Sequence, residues 1–120
     1  SGHPLACAAG LATLEVYREE DLFARAAELA PYFQEAVHSL ADCKNVIDVR
    51  NLGLMGAIEL ESIAGKPTVR AMEAFQKAFE RGLLVRTTGD TIALSPPLIV
   101  ERKHIDFIAE TVRDVIETVH

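Results

Sequence analysis

The segment GLLVRTTGDTIALSPPLI, residues 82–99, constrains the fold more than any other part of the sequence. Two runs of strand-forming residues flank Gly89-Asp90, and this dipeptide is a strong signal for a two-residue hairpin turn. Pro96-Pro97 ends the second run, because proline cannot donate to the ladder of a central strand. The segment therefore predicts an antiparallel β-hairpin, around which the rest of the chain has to fold.

A turn at Gly89-Asp90 places Arg86 opposite Ala93. Because side chains alternate across a strand, both point to one face of the hairpin, while the other face carries Val85, Thr87, Ile92 and Leu94. The second face is the natural core face, so we expect Arg86 to point away from the core. An arginine there is ordinarily a solvated strand residue, but its planar fork also suits a carboxylate. No acidic residue lies within three positions of it, and the pattern alone leaves both interpretations open.

Three further segments have the spacing or the end signals of helices. The segment from residue 105 onward is the clearest, because its apolar residues keep helical spacing for over four turns. The first helix begins at Pro4 and is rich in alanine, so we expect it to lie against a larger partner. Asp21 is expected to cap a second helix that extends to about Leu40. Pro31 should kink or split that helix.

Two strands are predicted at residues 46–52 and 54–60, with Gly53 and Gly56 allowing a tight turn or a close approach of two backbones. A further helix begins near Pro67 and ends at Gly82. One of its faces carries Met72, Phe75 and Phe79. The resulting order, ααββαββα, predicts an α+β fold with helices packed on a small, mostly antiparallel sheet. Residues 1–120 are expected to form a single domain.

Composition and motif content argue against several functions. The net charge of −6 is wrong for non-specific nucleic-acid binding, and no apolar run approaches the roughly 20 residues of a membrane span. The histidines are too scattered to predict a metal site. Cys7 and Cys43 are expected to be reduced thiols of a cytoplasmic protein. No catalytic motif is complete, and the start of the chain, which lacks methionine, is typical of a cut inside a longer protein.

Three stretches together resemble one family, the class III pyridoxal-phosphate-dependent aminotransferases. They are SGHPLACAAGLATLEVY, VRNLGLMGAIEL and the hairpin segment itself. They follow the order of the carboxy-terminal small domain of these fold-type I enzymes, and the resemblance extends from Ser1 to His120. The hairpin segment is most similar to the ω-amino acid–pyruvate (β-alanine–pyruvate) subgroup.

The resemblance implies an enzyme that transfers an amino group from β-alanine, or from another ω-amino acid or amine, to pyruvate by means of pyridoxal 5'-phosphate. It places Arg86 at the family's arginine for the substrate carboxylate. It also implies a large cofactor-binding domain upstream and a homodimer or dimer of dimers. None of Lys44, Lys66, Lys77 and Lys103 matches the lysine that carries the cofactor. We therefore expect this chain alone to be inactive and to bind no cofactor, with no catalytic residue of its own.

A second hypothesis is a stand-alone, non-catalytic α+β module that binds a small acid or a partner protein. Small α+β domains serve many such roles, so the fold by itself does not separate the two hypotheses. The sequence around the segment would separate them, because only the enzyme needs a large domain with a cofactor-bearing lysine.

Overall fold

The computed structural model describes residues 1–120 as four α-helices and a four-stranded antiparallel sheet. The predicted order ααββαββα and the α+β fold are confirmed. The helices are α1 (Pro4–Glu19), α2 (Leu22–His38), α3 (Val69–Glu80) and α4 (Arg102–Thr118), with a short 3-10 helix (Ser39–Asp42) after α2. The strands are β1 (Val46–Leu52), β2 (Met55–Leu60), β3 (Arg86–Thr88) and β4 (Thr91–Leu94).

The strands lie in the order β1-β2-β4-β3, so β4 is central and β3 forms an edge. The predicted hairpin register is confirmed where the strands are paired, with Arg86 opposite Ala93 and Thr87 opposite Ile92. Val85 was expected to continue the ladder, but β3 begins only at Arg86. The residues before Arg86 therefore leave the sheet, and β3 is a short edge strand held by one neighbour.

A single core fills the space between one face of the sheet and the helices. Phe33 of α2, Ile58 of β2, Ile92 of β4 and Val112 of α4 belong to one buried cluster, and each is at most 2% exposed. α2 contacts β1 and β2, α3 contacts β3 and β4, and α4 contacts both α2 and α3. The side chains on the other face of the sheet stay half-buried or exposed. The sheet thus has one covered and one open face.

Gly56 leaves space on β2 for two side chains of α2. A Cβ added at this position would lie 3.1 Å from Cγ2 of Val37 and 3.2 Å from Cε1 of Phe33, both on α2. These contacts are tighter than normal van der Waals packing, and the two side chains are themselves buried. Gly56 thus accommodates side chains of α2 rather than a second backbone, while the predicted tight turn is formed at Gly53, which has a positive φ of 57°.

The start of α2 differs from the sequence expectation. Asp21 precedes the helix in the left-handed conformation, with φ of 49°, and its side chain makes no capping hydrogen bond. The expected Asp21 cap is therefore wrong, since an N-cap side chain reaches the first free N–H groups from extended backbone. Pro31 lies inside the helix, which continues unbroken to His38 and is not split.

The buried face of α3 is built from small residues. Ala71, Ala74 and Ala78 are at most 2% exposed, whereas Met72 is 51% and Phe79 61% exposed. Phe75 stacks on Phe79 with ring centroids 6.4 Å apart at the side of the helix. The larger side chains share a face as predicted, and that face lies at the margin of the core, since Phe75 packs against the core cluster while Met72 and Phe79 stay exposed.

The first helix, α1, projects from the rest of the domain. It has no buried residue, and Leu5, Leu11 and Leu14 are 61–74% exposed. Its far end touches α2 through an edge-on contact of Tyr17 with Phe23. The Cα radius of gyration is 16.5 Å, against about 14 Å for a compact chain of this length. No helix of the chain is both long enough and apolar enough to span a bilayer.

We predict that Gly56→Ala lowers the free energy of unfolding by about 1–3 kcal/mol, because the new methyl group would overpack against Phe33 and Val37. Urea unfolding followed by circular dichroism measures the change. Gly10→Ala is the matched control: Gly10 lies within α1 with nothing near its added Cβ. That control should be neutral or stabilising by up to about 1 kcal/mol. Equal effects at both positions would contradict the packing role of Gly56.

Candidate functional site

The open face of the sheet carries a row of four side chains that crosses all the strands. The ladder pairs Arg50 with Ala57, Ala57 with Ala93, and Ala93 with Arg86. With strands spaced about 4.8 Å apart, the row is about 14 Å long. Two arginines thus stand at its ends, and the two alanines between them leave the middle of the face low and uncrowded.

Arg50 is already neutralised by its neighbours. Its Nη1 donates to Oδ2 of Asp48 at 2.5 Å and to Oε2 of Glu59 at 2.9 Å. The hydrogen bonds to Asp48, followed by those to Glu59, raise the pKa of Arg50 above its ordinary value. Because two carboxylates already balance the charge of this guanidinium, it attracts an anionic ligand only weakly.

Arg86 is in the opposite situation. Its side chain is exposed and makes no hydrogen bond or ion pair with another residue. Arg18, at the end of α1, is the one other arginine without such a contact or a stacked aromatic ring. The sequence prediction that Arg86 points away from the core is confirmed, and it is the uncommitted cation of the open face.

An open groove of about 1020 Å³ runs beside Arg86, between the end of the sheet and helices α3 and α4. Arg86 is the only arginine, lysine or acidic side chain that lines it. His104 also borders the groove, and its Nδ1 accepts a hydrogen bond from the Glu101 N–H at 3.1 Å. Most of the lining is apolar, from Met55, Phe75, Leu83, Leu84, Pro96, Pro97, Ile99, Phe107 and Ile108 among others. A single cation on an apolar wall favours a small anionic ligand with an apolar remainder.

None of the four lysines of the chain lines this groove. Lys77 pairs with Glu73 at 3.1 Å, and Lys103 pairs with Glu101 at 3.4 Å, both on helix surfaces. Lys44 and Lys66 also lie outside the groove lining. The residues beside Arg86 thus provide no amine that could carry a cofactor aldehyde. The structure also shows no group of three or more side chains that could hold a metal ion.

Asp90, at the tip of the hairpin that carries Arg86, makes contacts that its turn signal in the sequence does not indicate. Its Oδ2 accepts hydrogen bonds from Oγ of Ser62 at 2.5 Å and from the Thr68 N–H at 2.9 Å. Its backbone carbonyl accepts a third from the Leu60 N–H at 2.9 Å. Its Oδ1 is fully buried without a hydrogen-bond partner of its own. One residue thus ties the hairpin tip to the end of β2, the following loop and the start of α3.

The environment of Asp90 favours its ionised form. Burial by itself would raise the pKa of the carboxyl group, but the hydrogen bonds from the Ser62 hydroxyl and the Thr68 N–H, together with the electrostatic attraction of the Ala71 N–H, outweigh that effect. The nearby charge of Arg70 acts in the same direction, and the pKa lies below its ordinary value of 3.8. The carboxylate is therefore held as an anion against the positive end of α3.

Known proteins similar to this chain share its fold and the order of its segments. The sequence profile of the family described as aminotransferase class-III matches residues 1–116. An omega-aminotransferase of Caulobacter vibrioides is 66% identical over 116 residues, covering 97% of this chain and 26% of that protein. The beta-alanine–pyruvate aminotransferase of Pseudomonas aeruginosa is 42% identical with the same coverage.

Solved structures agree with the sequence relationship. An omega transaminase from Pseudomonas jessenii in complex with PMP matches 97% of this chain with a TM-score of 0.87 and 29% identity. A thermostable 6-fold mutant of omega transaminase from the same organism matches the same share with a TM-score of 0.89 and 28% identity. The match covers 27% of each of these longer chains.

The chain belongs to the class-III aminotransferase family. The predicted resemblance is therefore confirmed, and a stand-alone non-catalytic module is not favoured. The chain spans about a quarter of the length of the relatives it matches, 26% for the Caulobacter vibrioides protein. The larger part of such an enzyme thus lies outside the residues described above.

We predict that the stabilising effect of Asp90 depends on pH. Because its folded pKa is depressed below the unfolded value, its contribution is complete above about pH 4–5 and is lost as the pH falls through the folded pKa. Asp90→Asn should therefore lower the free energy of unfolding at about pH 6, and the difference from the parent should shrink at about pH 2.5. Urea unfolding at the two pH values measures both differences.

Asp114→Asn is the matched control for this experiment. Asp114 forms an exposed ion pair with Arg81 at 3.0 Å, and such pairs contribute at most about 1 kcal/mol. A deficit in Asp90→Asn that is the same at both pH values, or no larger than that of Asp114→Asn, would refute the charge-dependent role of Asp90.

Proposed function

We propose that this chain is the carboxy-terminal small domain of an ω-amino acid–pyruvate aminotransferase. The complete enzyme would transfer an amino group from β-alanine, or from another ω-amino acid or amine, to pyruvate. The names of relatives that are 66% and 42% identical to this chain support this reaction class. The proposal also accounts for an apolar groove with one cation, since both β-alanine and pyruvate carry a carboxylate on a small carbon frame.

Arg86 is the residue to which we assign the substrate carboxylate. The observation that carries the assignment is that Arg86 is the one charged side chain lining the groove and has no protein partner. Ala93, directly opposite, leaves space for the guanidinium to turn toward an anion. A guanidinium can donate two parallel hydrogen bonds to a carboxylate, which fixes orientation as well as position.

The chemistry of amino transfer would come from pyridoxal 5'-phosphate, which acts as an electron sink when it is bound. The described residues do not fit a role in holding it, because no lysine lines the groove. The contribution of this domain is therefore to bind and orient substrate. Arg86 would hold the carboxylate end, while the wall around Leu84, Pro97 and Ile99 would exclude water from that side.

The partners of this domain follow from its exposed surfaces. α1 has no buried residue and presents three exposed leucines, so we propose that it packs against the large cofactor-binding domain or a second subunit of a homodimer or dimer of dimers. Residues 1–120 would form one domain of that enzyme. Both cysteines are free thiols, and a cytoplasmic location is the corresponding proposal.

We predict that Arg86→Ala in the full-length enzyme lowers kcat/KM for β-alanine and for pyruvate by roughly 10- to 100-fold. Hydrogen bonds to a charged group are each worth about 1.5–3 kcal/mol. An amine donor without a carboxylate should lose less than about 2-fold, because it makes no contact that Arg86 supplies. Steady-state kinetics with each substrate varied in turn measures the three constants.

Arg50→Ala is the control for this experiment, because Arg50 stands in the same row but is neutralised by Asp48 and Glu59. It should leave all three constants within about 2-fold, since an exposed pair contributes little. Equal losses for the amine and for the carboxylate substrates in Arg86→Ala would refute the assignment.

We further predict that the 120-residue chain alone does not bind pyridoxal 5'-phosphate. Titration should give no ultraviolet–visible shift that an amino donor reverses, because the lysines lie outside the groove. Any binding to exposed lysines should resemble that of free lysine in affinity and spectrum. A saturable shift that β-alanine reverses would contradict this prediction and place cofactor chemistry within these residues.

A further inference from the structure

The strand that carries Arg86 has few attachments of its own. β3 contains only Arg86, Thr87 and Thr88, lies at the edge of the sheet and pairs with β4 alone. The residues before it are outside the ladder. A three-residue edge strand forms few hydrogen bonds, so its orientation depends on the anchors at its two ends: the buried side chain of Val85 before it and the contacts of the hairpin tip after it.

The tip of the hairpin is held by a hydrogen bond between Asp90 and the start of α3. Thr68 is the N-cap residue of α3, yet its side chain makes no capping hydrogen bond. Its backbone is left-handed, with φ of 71°, which is unfavourable for a β-branched residue. The cap is supplied instead by Asp90, whose Oδ2 accepts the Thr68 N–H at 2.9 Å. The start of α3 and the tip of the hairpin therefore stabilise each other.

A second contact joins the same two elements beside Arg86. Oγ1 of Thr87 lies 3.7 Å from Sδ of Met72, in the first half of α3. Ser62 contributes a hydroxyl to the same Asp90 oxygen that accepts the Thr68 N–H. The hairpin is thus fastened at its tip by charge-assisted hydrogen bonds, while β3 itself is held by its ladder with β4 and by the buried side chain of Val85 before it.

We propose that Asp90 is a positioning residue for Arg86. By capping α3 from the turn of the hairpin, Asp90 fixes the orientation of β3 relative to α3. That orientation determines where the Arg86 guanidinium meets the substrate carboxylate. The proposal rests on the proposed function of Arg86. Asp90 itself touches Ser62, Thr68 and Leu60 and does not line the groove.

The test is Asp90→Asn in the full-length enzyme. The amide has nearly the shape of the carboxylate, but it carries no charge, so its oxygen accepts the Ser62 and Thr68 hydrogen bonds more weakly, and its NH2 group replaces the buried Oδ1. We expect kcat/KM for β-alanine and for pyruvate to fall by about 5- to 20-fold, since small displacements of a binding group cost much in rate. For an amine without a carboxylate, kcat/KM should change by less than about 2-fold.

A double-mutant cycle separates positioning from a general loss of structure. If Asp90 acts through Arg86, Asp90→Asn should have no further effect on carboxylate substrates in an Arg86→Ala background. Additive losses in the double variant, or equal losses for the amine and the carboxylate substrates in Asp90→Asn alone, would overturn the proposal. If Arg86→Ala itself fails to discriminate between the substrates, the proposed function fails instead.

Ser62→Ala keeps the proposal testable if Asp90→Asn does not fold. It removes one hydrogen bond to the same carboxylate from an exposed loop residue. We expect kcat/KM for the carboxylate substrates to fall selectively by about 2- to 5-fold, which corresponds to the loss of one hydrogen bond. Asp114→Asn, on α4, should leave every constant unchanged. No selective loss in Ser62→Ala would count against Asp90 as a positioning residue.

Discussion

The register between β2, β4 and β3 is the constraint on which the rest of this structure depends. It pairs Gly56 with Leu94 on the covered face, and Ala57 with Ala93 and Arg86 on the open face. Because strand side chains alternate, a slip of one residue would exchange the two faces. Arg86 would then enter the core without a partner, and Leu94 would be exposed to water. Burial of the core and exposure of the candidate site are thus two results of one pairing.

Sequence reasoning succeeded where the signal was local. The Gly89-Asp90 turn and the alternation on either side of it were enough to predict the register of the hairpin, and helical spacing identified α4. It failed where the outcome depended on distant packing. Ala71, Ala74 and Ala78 have the spacing of one helix face, but spacing alone does not indicate that this face is buried in preference to the one with the larger side chains. Asp21, similarly, has a capping residue's identity but adopts a left-handed backbone that prevents it.

The candidate site was predictable in part for the same reason. Alternation shows that Arg86 points outward, but it does not show whether a carboxylate from another segment neutralises it. Arg50 illustrates the difference, since Glu59 reaches it from the neighbouring strand. Asp90 was read only as a turn residue, because its partners Ser62 and Thr68 lie 28 and 22 positions away. A turn aspartate that also caps a helix cannot be recognised before that helix is placed.

The surroundings of Arg86 explain why an unpaired cation could serve binding better than a paired one. Leu52, Met55 and Leu84 on the same face are 56–76% exposed, so a cover over this face would remove apolar surface from water and is favoured by that burial. The same cover would strip water from Arg86, and an isolated charge in such a place is costly. A carboxylate offsets that cost, because its negative charge neutralises the guanidinium and its two oxygens accept hydrogen bonds from it. An uncharged group does not neutralise the cation. Under the proposed function, a cover over this face would therefore be favourable when an anionic substrate neutralises Arg86 and unfavourable when the cation is left without a partner.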